Sequence, residues 1–264
     1  MSPRDRFRSV LFAAMALTLV LTLTPAHPAV AGGTTYGPPS SPLPEFNAGE
    51  LPETPWMSPQ AIELIVNGGF ESGSPLPSGW TTVEAGQGRW FQLGGPGTGP
   101  LSGMPFPAPA QGSLQMMTDM TGGGRHILYQ DVTIPPLATA SLNLVLWYTN
   151  YANFVSQPHL DYTTFIPNQQ FRIDIMNPAA AIDDVGAGVF LNVFATGPAS
   201  PSAIGYTPIS ADLNAFQGQT IRLRFVEVDN QHYLNVGVDA VSIQAEPLVP
   251  TRPATWGELK ARYH

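Results

Sequence analysis

The chain contains no cysteine among its 264 residues. Disulfide bonds, thiolate nucleophiles and thiolate metal sites are therefore all excluded. Charged residues are also scarce, at 11% of the chain against about 25% in an average domain. Polarity comes instead from Asn, Gln, Ser and Thr, which bind hydroxyl groups without the cost of desolvating a full charge. Such a domain must be stabilised by burial of apolar surface, with or without a bound ion.

Basic residues are especially few, and Lys260 is the only lysine. Residues 61–246 contain 14 acidic residues and five arginines. The resulting negative field repels a phosphate backbone, so we expect no nucleic-acid partner. Neutral and cationic partners remain compatible with this charge.

Long apolar runs are absent except near the N-terminus, at residues 10–23. Three arginines precede this run, and the small-residue pattern Ala29-Val30-Ala31 follows it. This order predicts a secretory signal peptide over residues 1–31. The run is short for a membrane span, which needs about 20 apolar residues. We therefore expect a secreted or cell-surface protein without a membrane span in the mature chain; an uncleaved anchor is the alternative.

The rest of the chain divides into a linker, one domain and a tail. Residues 32–60 are rich in Pro, Gly and Ser, which is typical of an extended linker, and residues 247–264 form a proline spacer and a short tail. Between them, short runs of alternating apolar residues are separated by Gly/Pro turns, which predicts an all-β antiparallel sandwich. The predicted strands are 62–66, 81–93 with a break at 86–88, 112–119, 125–134, 141–151, 170–176, 188–196, 220–228 and 236–244. Residues 188–196 are apolar on both faces and suit a central strand.

Four segments of the domain resemble one known family. They are NGGFESG followed by PSGW, RHILYQDVTIPPLATASLNLVLWY, ISADLNAFQGQTIRLRFVEVDN and VGVDAVSI. Together they resemble jelly-roll carbohydrate-binding modules with the galactose-binding-domain-like fold, of the kind appended to secreted xylanases and glucanases. The resemblance covers about residues 61–246 and implies a sandwich whose first and last strands meet. It also implies an exported, non-catalytic protein that binds a poly- or oligosaccharide.

The same resemblance implies a structural calcium ion that ties the first strand to the last. The matching positions are Glu71 in NGGFE and Asp239 in VGVDAV. Calcium takes six to eight oxygen ligands from carboxylates and backbone carbonyls, which loops close in space can supply. Ala240 departs from the family pattern, where an acid or Asn often follows the closing acid. The alternative is that both acids are turn and cap residues without a metal.

Sugar recognition combines an aromatic face with amide and guanidinium groups that bond hydroxyls. The outer strand faces and the adjoining loop offer Trp147, Tyr151, Arg172 and Arg224 as candidate contacts. The alternative for Trp147 is packing in the second half of the core or under a loop.

No catalytic constellation is evident, so we do not expect an enzyme. Glu227 and Asp229 share one face of a strand end, but a chain rich in acids gives such pairs by chance. His126, His159 and His232 are far apart and lack the HExxH spacing of a metalloprotease.

The tail, residues 255–264, resembles short endings of some exported bacterial proteins. Thr255 and Glu258 have the spacing of a helix capping box. The tail is either a sorting or docking element or a frayed end. The alternative function is therefore a structural or adhesive surface protein that uses the sandwich as a spacer and the tail for docking.

Overall fold

A computed structural model of the protein describes residues 60–248. The predicted signal peptide, nearly all of the linker and the tail after residue 248 lie outside these residues. Within residues 60–248 there is no helix long and apolar enough to cross a bilayer. The strands are β1 (Ile62–Glu63), β2 (Thr81–Leu93), β3 (Gly97–Thr98), β4 (Pro105–Phe106), β5 (Gln115–Thr133), β6 (Ala138–Asn150), β7 (Gln170–Met176), β8 (Val189–Ala195), β9 (Ala203–Asp212), β10 (Thr220–Asp229) and β11 (Leu234–Pro247).

The long strand β5 belongs to both layers of the sandwich. Its first half pairs with β11, where Gly237 lies opposite Met117, and its second half pairs with β10 along ten residues. β2 follows the other edge of β5 through both halves, with a register shift between Gly86 and Gly88. One layer is therefore β8-β7-β10-β5 and the other is β9-β6-β11-β5. All pairings are antiparallel, which confirms the predicted all-β jelly-roll sandwich.

The two ends of the domain meet at one edge of the second layer. Ile62 and Glu63 pair with Ala245 and Gln244 of β11. Further along, the backbone N–H of Val241 donates to the carbonyl of Gly68 at 2.9 Å. The first and last strands of the domain are thus paired and enclose the same hydrophobic core, as the resemblance implied.

The interior is built from the alternating faces that the sequence predicts. On β6 the inward side chains are Leu142, Leu144, Leu146 and Tyr148, all buried. Burial of one such side chain stabilises the fold by about 1.5–3 kcal/mol. Trp80 packs between Phe70 and Phe225, with ring centroids 5.2 and 5.9 Å away.

Several predicted elements differ from the structure. Strand β1 ends at residue 63 instead of 66, and β2 continues through the predicted break at residues 86–88. The predicted strands 112–119 and 125–134 are parts of one strand, since β5 continues through the glycines at 122–124 from its pairing with β11 to its pairing with β10. Residues 188–196 were predicted to be central, but β8 is the edge strand of its layer, and Phe190 is 44% exposed. β9 was not predicted, since its polar residues and Pro208 are typical of an edge strand.

Candidate functional site

An exposed group of aromatic rings lies at one end of the sandwich, and we call Tyr151, His232 and Tyr233 the aromatic cluster. Tyr151 directly follows β6, and the other two residues lie in the connection between β10 and β11. The Tyr151 ring centroid lies 6.1 Å from that of His232 and 6.4 Å from that of Tyr233. His232 and Tyr233 are 4.8 Å apart, with their planes 80° from parallel. Tyr151 and His232 are exposed and Tyr233 is half-buried.

Backbone and amide hydrogen bonds fix the backbone segments that carry these rings. The backbone N–H of Tyr151 donates to the carbonyl of Tyr233 at 3.0 Å. The buried amide of Gln169 donates to the carbonyl of His232 at 2.7 Å and to Asn150 at 2.9 Å. These bonds hold the end of β6 and the β10–β11 connection together, so the aromatic cluster is preorganised.

The neighbouring loop, residues 157–168, is tied to the same connection. The Asn230 amide donates to the carbonyls of Thr164 and Ile166 at 3.1 and 2.8 Å. In return, its Oδ1 accepts the backbone N–H of Asn168 at 2.8 Å. The long loop therefore supports the wall of the candidate site.

A depression of about 230 Å³ adjoins the aromatic cluster. Its wall consists of glycine backbone, amides, one acid and two of the rings: Thr121, Gly122, Gly123, Asp229, Asn230, Gln231, His232 and Tyr233. Burial raises the pKa of Asp229 to about 7. Aromatic faces beside amides can stack on the apolar side of a sugar ring while the amides bond its hydroxyls.

A larger concavity, of about 520 Å³, lies on the outer face of β6, β9 and β11. Its lining is polar and contains no aromatic ring: Thr139, Ala140, Ser141, Asn143, Ser210, Ala211, Asp212, Asn214, Gln244 and Glu246. It therefore lacks a platform for stacking, and the aromatic cluster is the better candidate.

Trp147 is buried beneath a loop, which is the alternative that the sequence left open. It is 2% exposed and packs with Phe106 and Met117. Its indole N–H donates to Gln115 Oε1 at 2.7 Å. With its ring covered, Trp147 presents no face to a ligand, so its prediction as a sugar contact is corrected.

The two predicted arginines are paired with the same buried acid. Arg224 is fully buried and donates from Nη2 to Asp174 Oδ2 at 2.6 Å, and burial lowers its pKa. Arg172 donates from Nη2 to Asp174 Oδ1 at 2.9 Å. The Arg224 guanidinium cannot reach a ligand in solvent, and Arg172 is already bound within the protein.

Of the four predicted sugar contacts, only Tyr151 is a freely exposed aromatic residue, at 38%. His232 and Tyr233 were missed because a turn has no periodicity that marks an outward face. The available signal was their position directly after the turn residues Asn230 and Gln231, at a strand end.

Glu71 and Asp239 both bond to one short segment, residues 111–114. Glu71 Oε1 accepts the backbone N–H groups of Ser113 and Leu114 at 2.8 and 2.9 Å. Asp239 is fully buried, and its Oδ2 accepts the N–H of Gln111 at 2.9 Å. Burial, with a smaller contribution from the charge of Glu71, raises the pKa of Asp239. Two acids without a bonded Arg or Lys within residues 60–248 suit a cation, although they supply only part of a calcium shell.

No protein-family model matches the chain, and no curated protein matches it. Several solved structures resemble it at low identity. The K3 adhesin domain of Lys-gingipain from Porphyromonas gingivalis W83 is 12% identical, with a TM-score of 0.43 over 70% of this chain and 99% of that one. TmCBM61, solved with β-1,4-galactotriose, is 10% identical, with a TM-score of 0.40 over 69% and 97% of the two chains. The Stig cyclase Fisc from Fischerella sp. TAU is 14% identical, with a TM-score of 0.40 over 72% and 100%.

Proposed function

We propose that the protein is an exported, non-catalytic carbohydrate-binding protein whose ligand contacts the aromatic cluster. The observation that supports this proposal is the preorganised set of Tyr151, His232 and Tyr233 beside a depression lined with amides. Tyr151 supplies an exposed stacking face. The exposed amide of Gln231 supplies hydrogen bonds to hydroxyl groups, whereas the Asn230 amide is already bonded to the loop. A neutral sugar also suits a domain with few charges.

The lining of the depression supports binding without hydrolysis. A glycosidase places two carboxyl groups on either side of the scissile bond, about 5–9.5 Å apart. The depression contains a single acidic side chain, that of Asp229. A bound oligosaccharide at this site would therefore meet an acid on one side only.

A glycan array with the folded, full-length protein tests the proposal directly. We expect the wild type to bind at least one class of neutral glycan and a Tyr151→Ala/His232→Ala variant to lose that signal. Phe190→Ala is the matched control, because Phe190 is an exposed aromatic residue that stacks on Phe216 in another part of the domain. Absence of binding to any glycan by the folded wild type would overturn the proposal.

We also propose that Glu71 and Asp239 bind a structural calcium ion beside residues 111–114. The buried carboxylate of Asp239 next to the charge of Glu71 supports this proposal. A ligand that binds only the native state raises stability. Added Ca²⁺ should therefore raise the melting temperature of chelator-treated wild type but not that of Asp239→Asn. Equal melting temperatures of the wild type with and without Ca²⁺ would contradict the calcium site.

The adhesive alternative predicts a different result, because it places docking in the tail. Residues 255–264 lie outside the described part of the chain, so this role stays a prediction from sequence. Deletion of the tail should abolish cell-surface retention if it docks the protein. Unchanged secretion with intact glycan binding would favour the carbohydrate-binding proposal.

A further inference from the structure

A buried group of acids and one histidine lies between the layers, next to the candidate site; we call His126, Glu227 and Asp229 the buried triad. His126 is on β5, and the two acids are on the inner face of β10. His126 and Glu227 are fully buried, and Asp229 is 2% exposed. One ligand atom from each side chain lies within 4.8 Å of the other two. Asp229 also lines the depression of the proposed carbohydrate site, whereas His126 and Glu227 take no part in that site.

Two members of the triad have polar atoms without a partner. Both carboxylate oxygens of Glu227 are buried and make no hydrogen bond, and the same is true of His126 Nε2. His126 Nε2 lies 4.0 Å from Glu227 Oε2, which is too long for a hydrogen bond. Two ligands of a tetrahedral metal ion, each about 2.1 Å from it, lie about 3.4 Å apart, so a shift of about 0.6 Å would bring these two atoms to that distance. The spacing therefore fits an ion held between the imidazole and the carboxylate.

A further carboxylate orients the imidazole as in known metal sites. Glu84 Oε2 lies 2.8 Å from His126 Nδ1. Glu84 is also held in place, since its Oε1 accepts the backbone N–H of Trp90 at 3.0 Å. A proton on Nδ1 leaves the Nε2 lone pair free for a metal, and such a carboxylate–histidine pair is the usual support of a metal-binding histidine.

The charge at the triad suits a cation. Within residues 60–248, the ion pairs of Glu84 and Glu227 are with His126 alone, so no arginine or lysine neutralises these acids. The imidazole packs closely against two glycines that must lack a side chain, because a Cβ at Gly124 would lie 2.4 Å from Nε2 and one at Gly88 2.7 Å from it. Asp229 lines the surface depression, which gives an ion a route from solvent.

We propose that His126, Glu227 and Asp229 bind one divalent transition-metal ion of the zinc type. One nitrogen and two carboxylate oxygens suit Zn²⁺ and its substitute Co²⁺, whereas calcium prefers an all-oxygen shell. The three ligands join β5 to β10, and Asp229 lines the depression beside the aromatic cluster. The site is separate from the proposed calcium pair, which lies at residues 71 and 239.

Cobalt titration of the full-length protein tests the site. The protein is produced without a histidine tag, treated with a chelator and titrated with Co²⁺ while visible absorption is recorded. We expect one bound ion per chain, with the absorption of a low-symmetry Co²⁺ site that Zn²⁺ abolishes on addition. Glu227→Gln should weaken binding at least about 100-fold, and Glu84→Gln, which only orients the histidine, about 10–100-fold.

Asp183→Asn is the matched control, because Asp183 is an exposed acid that pairs with Arg125 on the outer face. It should bind Co²⁺ like the wild type. If Glu227→Gln does not fold, Asp229→Asn serves instead, with the same expected loss and with circular dichroism as the check of folding. A folded wild type that binds no Co²⁺ or Zn²⁺, or a Glu227→Gln variant that binds as tightly as the wild type, would overturn the proposal.

Discussion

The rings of Tyr151 and His232 lie 6.1 Å apart at one end of the sandwich, although they come from different connections between strands. The side chain of Gln169, directly before β7, joins the two connections through hydrogen bonds to Asn150 and His232. The position of this exposed pair is therefore set by buried polar contacts. This arrangement limits the entropy that the rings lose when a ligand orders them.

Glu63 should contribute more to stability than its exposed position suggests. Its carboxylate accepts the backbone N–H groups of Ile65 and Ile243 at 2.8 and 3.0 Å and the amide of Gln244 at 2.6 Å, which fastens β1 to β11. We expect Glu63→Ala to lower the free energy of unfolding by about 1–2 kcal/mol, measured by urea denaturation. Glu246→Ala, on the exposed face of β11, should change it by less than about 0.5 kcal/mol. Equal effects of the two changes would contradict this role.

Arg224 and Arg222 allow a matched test on one strand. Removing the buried Arg224 leaves the buried carboxylate of Asp174 with fewer partners, so Arg224→Met should cost about 3 kcal/mol. Arg222 pairs with the exposed Asp131, and Arg222→Met should cost about 1 kcal/mol or less. Denaturant unfolding of both variants measures the difference. If the Arg224→Met variant folds but no longer binds glycan, Arg224 would be a sugar contact and not only a structural residue.

Asp184 should make the free energy of unfolding fall as the pH is lowered into the acid range. The backbone N–H groups of Gly186 and Gly188 each donate to its carboxylate at 2.7 Å and hold the pKa of Asp184 below its usual value. Because the folded-state pKa is the lower one, this stabilisation is present above the ordinary pKa near 4 and is lost as the pH falls through the folded value. Asp184→Asn should therefore show a smaller drop in urea midpoint between about pH 5 and about pH 2.5. If the urea midpoint of Asp184→Asn fell with pH as steeply as that of the wild type, this contribution would be contradicted.

The fold could be predicted because its strands carry local signals. The alternation along β6 identifies its buried face, and the turn residues of NGGFE and VGVDAV mark the two strand ends that meet at Gly68 and Val241. The position of a strand within a layer has no such signal. β8 is apolar on both faces, yet it lies at an edge, where Phe190 stacks on Phe216.

The site was harder to predict because long-range packing decides which side chains are exposed. The alternation placed Trp147 correctly on the outer face of β6, but only the fold shows that the segment around Phe106 covers it. Arg224 likewise points away from the main core and is buried by the segment that contains Ile182. The carbonyl of Ile182 accepts a hydrogen bond from the Arg224 guanidinium. Neither covering loop has a sequence pattern that reveals where it packs.

The central claim is tested most directly by the affinity of variants that each lack one ring of the aromatic cluster. The ligand is an oligosaccharide that the wild type binds on the glycan array. Isothermal titration of the full-length protein should show that Tyr151→Ala and His232→Ala each weaken binding at least about tenfold, which corresponds to about 1.4 kcal/mol. Phe190→Ala should bind like the wild type. Unchanged affinity in both ring variants, with folding verified by circular dichroism, would contradict a carbohydrate site at the aromatic cluster.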